Sequence, residues 1–416
     1  MKQIICKGCG KSFSISPEEE KFYISKELQV PKRCKECRKA RKEQKAQEEK
    51  RIKTERDEKE LQGLVAQFTQ KPIEFTNPDK SLVIIGNGFD IMHGVKSSYW
   101  EFQKTIGKNN TLRWEMETYL DTGDLWSNLE DSLGRLNYSM FLNPHVIDMW
   151  LDNFGVYDPD CQAADFFAAV ETAIGPTFNI PRELNSRFKK WLKTLKVESD
   201  DRPFSMLHGD YKVLNFNYTE FVETLYGAKR ENICYIHGCR RNDKGKKPDE
   251  IILGHKPGME EEQWDKVELK PFKFKNPYKR YIMEAAMETA VREAAWYDES
   301  TTKKCGDIIK NHKDFFDGLS SIEEVFVIGH SLSEVDYPYF EEVSRQCDAK
   351  WHIGHHSLDD MKRLMKNPAL IAPSFQKSGT VDSCRTVPVG SIHLLGDYTL
   401  VTNQVKAASH RMATRP

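Results

Sequence analysis

The residues best suited to chemistry lie in the stretch Ser81–Tyr99. Gly86 and Gly88 end a short apolar run there, and Asn87 and Asp90 supply polar side chains at the same turn. Glycine lets the backbone turn and lets a phosphate approach main-chain N–H groups, so this pattern indicates a nucleotide site. The third glycine falls too late for the G-x-G-x-x-G fingerprint. A tight strand-to-helix turn that binds no ligand would use the same glycines, and both interpretations stay open.

Polar residues also follow later apolar runs. Asn217 comes after the run that begins at Lys212, His237 follows Ile233–Ile236, and the polar segment Gly329–Asp336 follows another run. In an open parallel sheet the ligand binds outside the carboxyl ends of the strands, so these positions are well placed for chemistry. Asn217 could equally cap a helix, and His237 could be a hydrogen-bonded structural histidine.

An acidic residue on a helix is a further candidate. In the segment Trp126–Asp131, Glu130 shares a helix with apolar residues that point toward a core. A carboxylate there could face the glycine turn and bind ribose hydroxyls. Surface acids are much commoner than functional ones, so the alternative is an ordinary exposed glutamate.

Four cysteines near the N-terminus form two C-x-x-C pairs: Cys6 with Cys9, and Cys34 with Cys37. Each pair can turn both sulfurs toward one metal, and four thiolates close a tetrahedral shell with no open position. We therefore predict a structural zinc site. A redox role would need a thioredoxin-like βαβ context, which this part of the sequence lacks.

The elements that must position these residues predict an α/β protein with a Rossmann-like parallel sheet and helical insertions. Leu82–Ile85 is a mostly β-branched run without polar alternation, as in a strand covered on both faces. Helical periodicity dominates from 98 to 195 and from 271 to 316. Ile251–Leu253 is predicted as a further strand, and Trp351–His355 as a strand whose loop carries exposed histidines.

We predict four domains or segments, with these boundaries: a zinc ribbon at 1–42, a charged helical linker at 43–75, an α/β domain at 76–355 and a partly disordered extension at 356–416. The segment Arg38–Glu60 has neither glycine nor proline and few apolar residues, which predicts a solvated helix. Its basic first half continues the ribbon and could bind phosphates, although an exposed charged helix without a partner is the simpler interpretation.

Composition sets the broad class. The chain has 416 residues, 39% hydrophobic content and a net charge of −1, which suits two or three globular domains. No apolar run approaches the roughly 20 residues of a membrane span, and the N-terminus has no signal-peptide pattern. We therefore expect a cytoplasmic protein without a membrane partner. The other six cysteines have no framework spacing, which agrees with a reducing compartment.

Several segments together resemble a known family. The segments IIGNGFDIMHGVKSSYWEF, WSNLEDSL, VLNFNYTEFVETLY, YIHG, IILGH and VIGHSLSEVDYPYF are similar to the bacterial AbiH family of phage abortive-infection proteins, in that family's order. This resemblance implies a function in phage defence. The N-terminal block resembles a small bacterial zinc-ribbon family, which implies zinc binding.

The same strand ends also resemble, more distantly, the sirtuin-like fold of defence NAD hydrolases. That resemblance implies that Asn217 and His237 carry catalysis. It further implies that Gly86, Gly88, Gly329 and Ser331 line the phosphates and ribose of a nucleotide. Because Asn87 and Asp336 lie in the same two segments, we predict them as nucleotide-binding residues too. The sirtuin-like turn has alanine where this chain has Asn87, and usually serine where it has Asp90.

The implied reaction is cleavage of the N-glycosidic bond to nicotinamide in NAD+ or a related nucleotide, through an oxocarbenium-like transition state. Asp90 or Glu130 would stabilise the developing charge, Asn217 would hold the attacking water, and His237 would accept a proton. Two other functions remain open: a nucleotide or nucleic-acid sensor that hydrolyses nothing, and an effector that the ribbon docks on RNA. Analogy with the sirtuin-like enzymes suggests a homo-oligomer, and the phage trigger is not encoded in any motif.

Overall fold

The computed structural model describes most of the chain as far as residue 366. The residues described are 2–65, 69–70, 75–199, 202, 204, 207–241, 250–259, 261–267, 272, 274–355, 358–366 and 392–397. Most of the predicted C-terminal extension, including its last residues, lies outside them. The chain divides into two compact units, Met1–Gln67 and Phe68–Pro416. We describe each unit by itself.

The first unit is a small zinc-binding module. It consists of the strands β1 (Lys2–Ile5) and β2 (Ser12–Ile15), which pair antiparallel, and the helices α1 (Pro17–Ser25) and α2 (Lys35–Val65). Helix α1 begins with a capping box, because the Ser16 hydroxyl accepts from the Glu19 N–H and the Glu19 carboxylate accepts from the Ser16 N–H. The charged helix α2 begins inside the predicted ribbon rather than at residue 43.

The second unit is built on a seven-stranded sheet in which every neighbouring pair is parallel. Its strands are β3 (Thr69–Gln70), β4 (Ser81–Ile85), β5 (Lys212–Asn215), β6 (Ile233–Tyr235), β7 (Glu324–Ile328), β8 (Lys350–His355) and β9 (Ile392–Asp397). Their order is β3-β9-β8-β7-β4-β5-β6. This confirms the predicted α/β fold. Strands β3 and β9 lie outside the predicted domain boundaries of 76 and 355, so the sheet is wider than the sequence indicated.

Helices cover the sheet and form a large insertion after β4. They are α3 (Asn87–Met92), α4 (Tyr99–Thr105), α5 (Thr111–Tyr119), α6 (Leu129–Leu133), α7 (Pro144–Asn153), α8 (Ala163–Ala173), α9 (Pro176–Leu192), α10 (Phe221–Tyr226), α11 (Glu261–Trp264), α12 (Pro277–Thr301), α13 (Cys305–Asn311), α14 (Lys313–Asp317), α15 (Tyr337–Gln346) and α16 (Leu358–Lys366). One continuous core joins the inner strands to α4–α9 and α12. Among the described residues, no helix combines the length and the apolar composition that a membrane span requires.

The central strand β4 shows why the sequence adopts this fold. All five of its residues are buried, because it pairs with β5 on one side and β7 on the other. A strand covered on both edges and both faces needs a continuous apolar run, which Leu82–Ile85 provides. The chain leaves β4 toward β5, and β7 returns on the opposite side of β4. The carboxyl ends of β4 and β7 therefore flank the topological switch point, where α/β sheets bind ligands.

Two predictions about local structure are wrong. Ile251–Leu253 is irregular, because this segment makes isolated contacts instead of a strand ladder: the Ile252 N–H donates to the His237 carbonyl, and His255 forms a single bridge to Thr302. The histidines of β8, expected to be exposed, are buried, with His352 7% and His355 6% exposed. His352 is buried because its ring stacks on Phe326 of β7, with ring centroids 4.5 Å apart, and its Nε2 lies 3.3 Å from Glu324 Oε1.

Candidate functional site

A cleft of about 940 Å³ opens at the switch point. Its lining combines the loops after β4, β5, β6 and β7 with parts of the helices α4, α6, α9 and α16. Ligand pockets of small molecules commonly have volumes of 300–1,000 Å³, so this cleft is large enough for a dinucleotide. All ten nucleotide-site residues predicted from the sequence line it: Gly86, Asn87, Gly88, Asp90, Glu130, Asn217, His237, Gly329, Ser331 and Asp336.

The floor of the cleft consists of two loops joined backbone to backbone. The Gly86 N–H donates to the Ile328 carbonyl at 3.1 Å, and the Gly88 N–H donates to the Gly329 carbonyl at 2.8 Å. A Cβ atom on Gly88 would lie 2.7 Å from the Gly329 Cα, and Gly329 itself has a φ of +64°. Glycine is thus needed for this close approach of two loops. The predicted contact of these glycines with phosphates stays a prediction.

Asp90 is held in a buried network beside the floor. Its carboxylate accepts from the Asn217 Nδ2 at 2.9 Å and from the Thr219 hydroxyl at 2.6 Å, and Asn217 Nδ2 also donates to the Gly86 carbonyl at 3.0 Å. Burial raises the pKa of Asp90 to about 7, although the bonds from Thr219 and Asn217 oppose the shift. Both amide hydrogens of Asn217 are therefore engaged by the protein. Its carbonyl oxygen is the atom of this amide that can accept from a water or a ligand.

One ring nitrogen of His237 is buried in the cleft, and no described residue pairs with it. Its Nε2 is buried and has no hydrogen-bond partner among the described residues, and it lies 3.7 Å from Asp336 Oδ1. Burial lowers the pKa of His237 well below its usual value, and the charge of Lys303 lowers it further, while Asp336 and a hydrogen bond to the Phe216 backbone oppose these effects. The imidazole is therefore neutral at pH 7. A neutral imidazole whose other nitrogen is held by the backbone offers Nε2 as a proton acceptor.

A buried lysine links the two remaining carboxylates. Lys303 Nζ lies 3.1 Å from Glu130 Oε1 and 3.2 Å from Asp336 Oδ1, and its side chain is completely buried. His330 Nε2 approaches the other oxygen of Asp336 at 3.5 Å. We call Glu130, Lys303 and Asp336 the ion cluster. Glu130 is thus not the ordinary exposed glutamate of the alternative interpretation.

The ion cluster fixes which groups are charged. Burial alone would lower the pKa of Lys303, but Asp336 and Glu130 outweigh burial and raise it. Burial raises the pKa of Glu130 to about 7 despite Lys303. Burial would also raise the pKa of Asp336, but Lys303 and the neighbouring histidines hold it below its usual value. At neutral pH, Asp336 is therefore ionised and Glu130 is close to its titration midpoint.

The segment IILGH positions Lys303 rather than supplying a group to the cleft. The Lys303 N–H donates to the His255 carbonyl at 2.9 Å, and the His255 N–H donates to the Thr301 carbonyl at 2.8 Å. A Cβ atom on Gly254 would lie 2.3 Å from the Thr301 carbonyl oxygen, so glycine lets this segment reach the end of α12. The His255 ring contacts the Lys256 carbonyl and the Thr301 hydroxyl. These contacts hold the chain where Lys303 enters the cluster.

Sequence reasoning missed Lys303, Thr219 and His330. Lys303 stands in the segment TTKKC beside an exposed lysine, and neither spacing nor composition distinguishes the two. The bridge between His255 and Thr302 fixes the chain next to the first lysine, which is the buried one. Thr219 is not among the site residues predicted from the sequence, yet its hydroxyl donates to Asp90.

The cleft is also rich in aromatic side chains, which is typical of sites that bind a flat heterocycle. The aromatic lining residues are Tyr99, Trp100, Trp126, Phe188, Trp191, Phe216 and Tyr218. The Tyr218 hydroxyl donates to the Ile252 carbonyl at 2.9 Å, and this hydrogen bond fixes the orientation of the Tyr218 ring. Together with the carboxylates, these rings give the cleft an acidic and aromatic character.

In the first unit, the four predicted cysteines meet. Their sulfurs all lie within 4.8 Å of one another, and Cys9 Sγ is 3.8 Å from Cys34 Sγ. Tetrahedral zinc with Zn–S bonds of about 2.3 Å requires sulfurs about 3.8 Å apart, so the set fits zinc. The backbone N–H of Cys34 lowers the pKa of the Cys6 thiol to about 6, which favours the thiolate that a metal binds. The first pair lies in the β1–β2 turn and the second at the start of α2, an arrangement of hairpin and helix.

These features define the protein as an α/β protein with a ligand cleft at the switch point of a parallel sheet, joined to a zinc-binding module. The chain belongs to the family described as bacteriophage abortive infection AbiH, whose model matches residues 82–355. A second model, described as a probable treble clef domain, matches residues 2–46. No curated protein and no solved structure matches the chain. Family membership supports a role in bacteriophage abortive infection and confirms the resemblance noted in the sequence.

Proposed function

We propose that this chain is an abortive-infection effector that hydrolyses the N-glycosidic bond of NAD+ or a related nucleotide. One observation carries the proposal: the buried, unpaired Nε2 of His237 lies in an aromatic cleft beside the ionised carboxylate of Asp336. A buried polar atom without a partner costs free energy, and a ligand or a water that pairs with it recovers that cost.

The reaction assigns one task to each group. The bond between C1′ of the ribose and the pyridinium nitrogen breaks, and its electron pair passes to the ring, which leaves as neutral nicotinamide. The positive charge that develops on the ribose is stabilised by the carboxylates of Asp90 and Asp336. Water attacks C1′ and gives a proton to His237 Nε2, while the Asn217 carbonyl oxygen accepts from the same water. ADP-ribose is the second product.

The character of the cleft supports a nicotinamide substrate. Carboxylates and aromatic faces both attract a flat ring that carries a positive charge, and the nicotinamide ring of NAD+ is such a ring. The cationic Lys303 is matched by Glu130 and Asp336, so it does not reverse the acidic character. Glu130, whose pKa lies near 7, pairs with Lys303 and adjusts the charge of the ion cluster.

The test measures NAD+ in cells that express the chain and are infected with a phage to which it gives protection. We expect NAD+ to fall and nicotinamide and ADP-ribose to rise, as followed by mass spectrometry. His237→Gln should slow the loss by about 10²-fold or more, the usual effect of removing a general base. His145→Gln is the matched control, because His145 is exposed on α7, and it should behave as wild type.

Two results would overturn the proposal. Protection without NAD+ loss would refute NAD+ as substrate, and binding of NAD+ by the purified protein in that case would favour the non-hydrolysing sensor. Equal NAD+ loss with His237→Gln and with His145→Gln would remove His237 from the reaction.

A further inference from the structure

Helix α2 carries a stripe of positive charge along one face. Lys35, Arg38, Lys39 and Lys42 are all exposed, and their spacing of i, i+3, i+4 and i+7 places them on the same side of the helix. The stripe rises about 10 Å along the axis, at roughly 1.5 Å for each residue. The structure thus arranges in one line what the sequence shows only as a run of charges.

The turns that carry the zinc cysteines extend the stripe. The Lys7 N–H donates to the Lys32 carbonyl at 2.9 Å, so the backbone places these two exposed lysines side by side. Gly8 packs against the second pair, because a Cβ atom there would lie 2.9 Å from Cys37 Sγ. Metal binding therefore holds Lys7 and Lys32 next to the start of α2. We call these two lysines and the four residues of the stripe the basic surface.

The described residues give the side chains of the basic surface few ion pairs and hydrogen bonds. Over the part of the chain that the structure describes, its recorded ion pair is Lys39 with Glu43, at 3.9 Å between two exposed side chains. Arg38 donates to the Tyr23 hydroxyl at 3.2 Å. A solvated helix without a partner usually intersperses both signs at i, i+4 spacing, and α2 does so further along, where Arg51 pairs with Glu48 and Glu55. Among the described residues, the basic surface has this arrangement only at Lys39 and Glu43, whose charged atoms are 3.9 Å apart.

We propose that the basic surface binds the phosphodiester backbone of a nucleic acid, without reading its bases. Along one strand of a duplex the phosphates are spaced about 3.4 Å apart along the axis, so a stripe of about 10 Å spans about three such intervals and reaches up to about four phosphates. Lys and Arg side chains on a helix are the usual partners of such phosphates. A membrane surface is the less suitable partner, because the large apolar residues of α2 begin at Ile52 and leave no apolar face beside the stripe.

The test compares two variants with the same change in charge. In the stripe variant, Lys35, Arg38, Lys39 and Lys42 become Gln. In the control variant, Lys50, Lys53, Arg56 and Lys59, which lie further along α2, become Gln. Binding of the full zinc-loaded chain to a 20-nucleotide RNA and to a 20-base-pair DNA duplex is measured by fluorescence anisotropy between about 50 and 200 mM salt. Equal zinc content in all three proteins shows that the module is folded.

We expect wild type to bind with an affinity that falls steeply with salt. The stripe variant should lose at least tenfold in affinity, and the slope of log K against log salt on duplex DNA should shrink by about 3 to 4, at roughly 0.9 for each lost phosphate contact. The control variant should lose clearly less. A preference between the RNA and the duplex identifies the physiological source of the phosphates.

Three outcomes overturn this proposal: no binding of either nucleic acid at about 50 mM salt, equal losses in the two variants, or binding to phosphatidylserine vesicles in place of nucleic acid. None of them bears on the cleft, because the basic surface belongs to the first unit. Hydrolysis of NAD+ and binding of nucleic acid are therefore refuted by separate measurements.

Discussion

Lys303 is the positively charged member of the ion cluster and lies between Glu130 and Asp336. Replacing it by methionine removes that charge. The methionine keeps the length of the side chain, so the change is mainly one of charge. Wild type holds two carboxylates against Lys303 Nζ at 3.1 and 3.2 Å, with the lysine completely buried. Breaking a buried ion pair by removing one partner costs about 3–5 kcal/mol, because it leaves a buried charge without compensation. We expect the free energy of unfolding at pH 8 to fall by about that amount.

The cost of Lys303→Met should depend on pH in a specific direction. In wild type, the folded pKa of Glu130 is about 7, above the unfolded value of roughly 4.3. A carboxyl whose folded pKa is raised stabilises the protein as pH falls and loses that contribution as pH rises through the folded pKa. Without Lys303 the pKa of Glu130 rises further. For a rise of about one pKa unit, the cost should therefore shrink by about 1 kcal/mol between pH 8 and pH 5.5.

Tryptophan fluorescence during urea denaturation measures the unfolding of the second unit, which contains the ion cluster. The eight tryptophans of the chain lie between Trp100 and Trp351, all of them in the second unit. Lys304→Met is the matched control, because Lys304 is 55% exposed and pairs with the exposed Glu299. It should cost no more than about 0.5 kcal/mol. Equal costs for the two variants, or a cost of Lys303→Met that is the same at pH 5.5 and pH 8, would refute our account of the ion cluster.

Two further predictions concern the zinc module and the floor of the cleft. Removal of zinc by EDTA, or Cys34→Ser, should abolish the helical circular dichroism of the first unit, since small zinc modules unfold without metal. The tryptophan fluorescence of the second unit should stay unchanged. If the helical circular dichroism is retained, the zinc is not structural. Gly329→Ala should lower the free energy of unfolding by at least about 2 kcal/mol, because φ is +64° and the new Cβ would lie 2.2 Å from the Phe89 nitrogen. Gly107→Ala, where a Cβ would meet nothing within 4 Å, is the control in the same urea denaturation and should stay near wild type.

The sequence was sufficient where the signal is local. The zinc cysteines have a fixed spacing, and the strands β4, β5 and β7 are short apolar runs that end in glycine or a polar residue. From these ends alone, Asn217 and His237 could be placed near the glycine turn. Parallel strands bring their carboxyl ends to one edge, so the grouping follows from the fold class.

What the sequence did not reveal depends on contacts between distant segments. Lys303 is buried because a bridge to His255 fixes the end of α12, and no pattern near Lys303 encodes that bridge. The burial of His352 was missed because it depends on stacking against Phe326, a residue of β7 that is distant in the sequence. The raised pKa of Asp90 likewise depends on its burial and on its hydrogen bonds to Asn217 and Thr219, which form only in the folded protein.

The contact between the loops after β4 and β7 has a consequence for ligand exchange. Two main-chain hydrogen bonds and a glycine-to-glycine approach join these loops, so the floor of the cleft cannot widen without breaking those bonds. A change in the width of the cleft that keeps these bonds must come from another part of its lining, such as the helical insertion that carries Trp100 and Trp126. We therefore expect substitutions in that insertion, rather than in the floor, to change the rate at which a ligand enters the cleft.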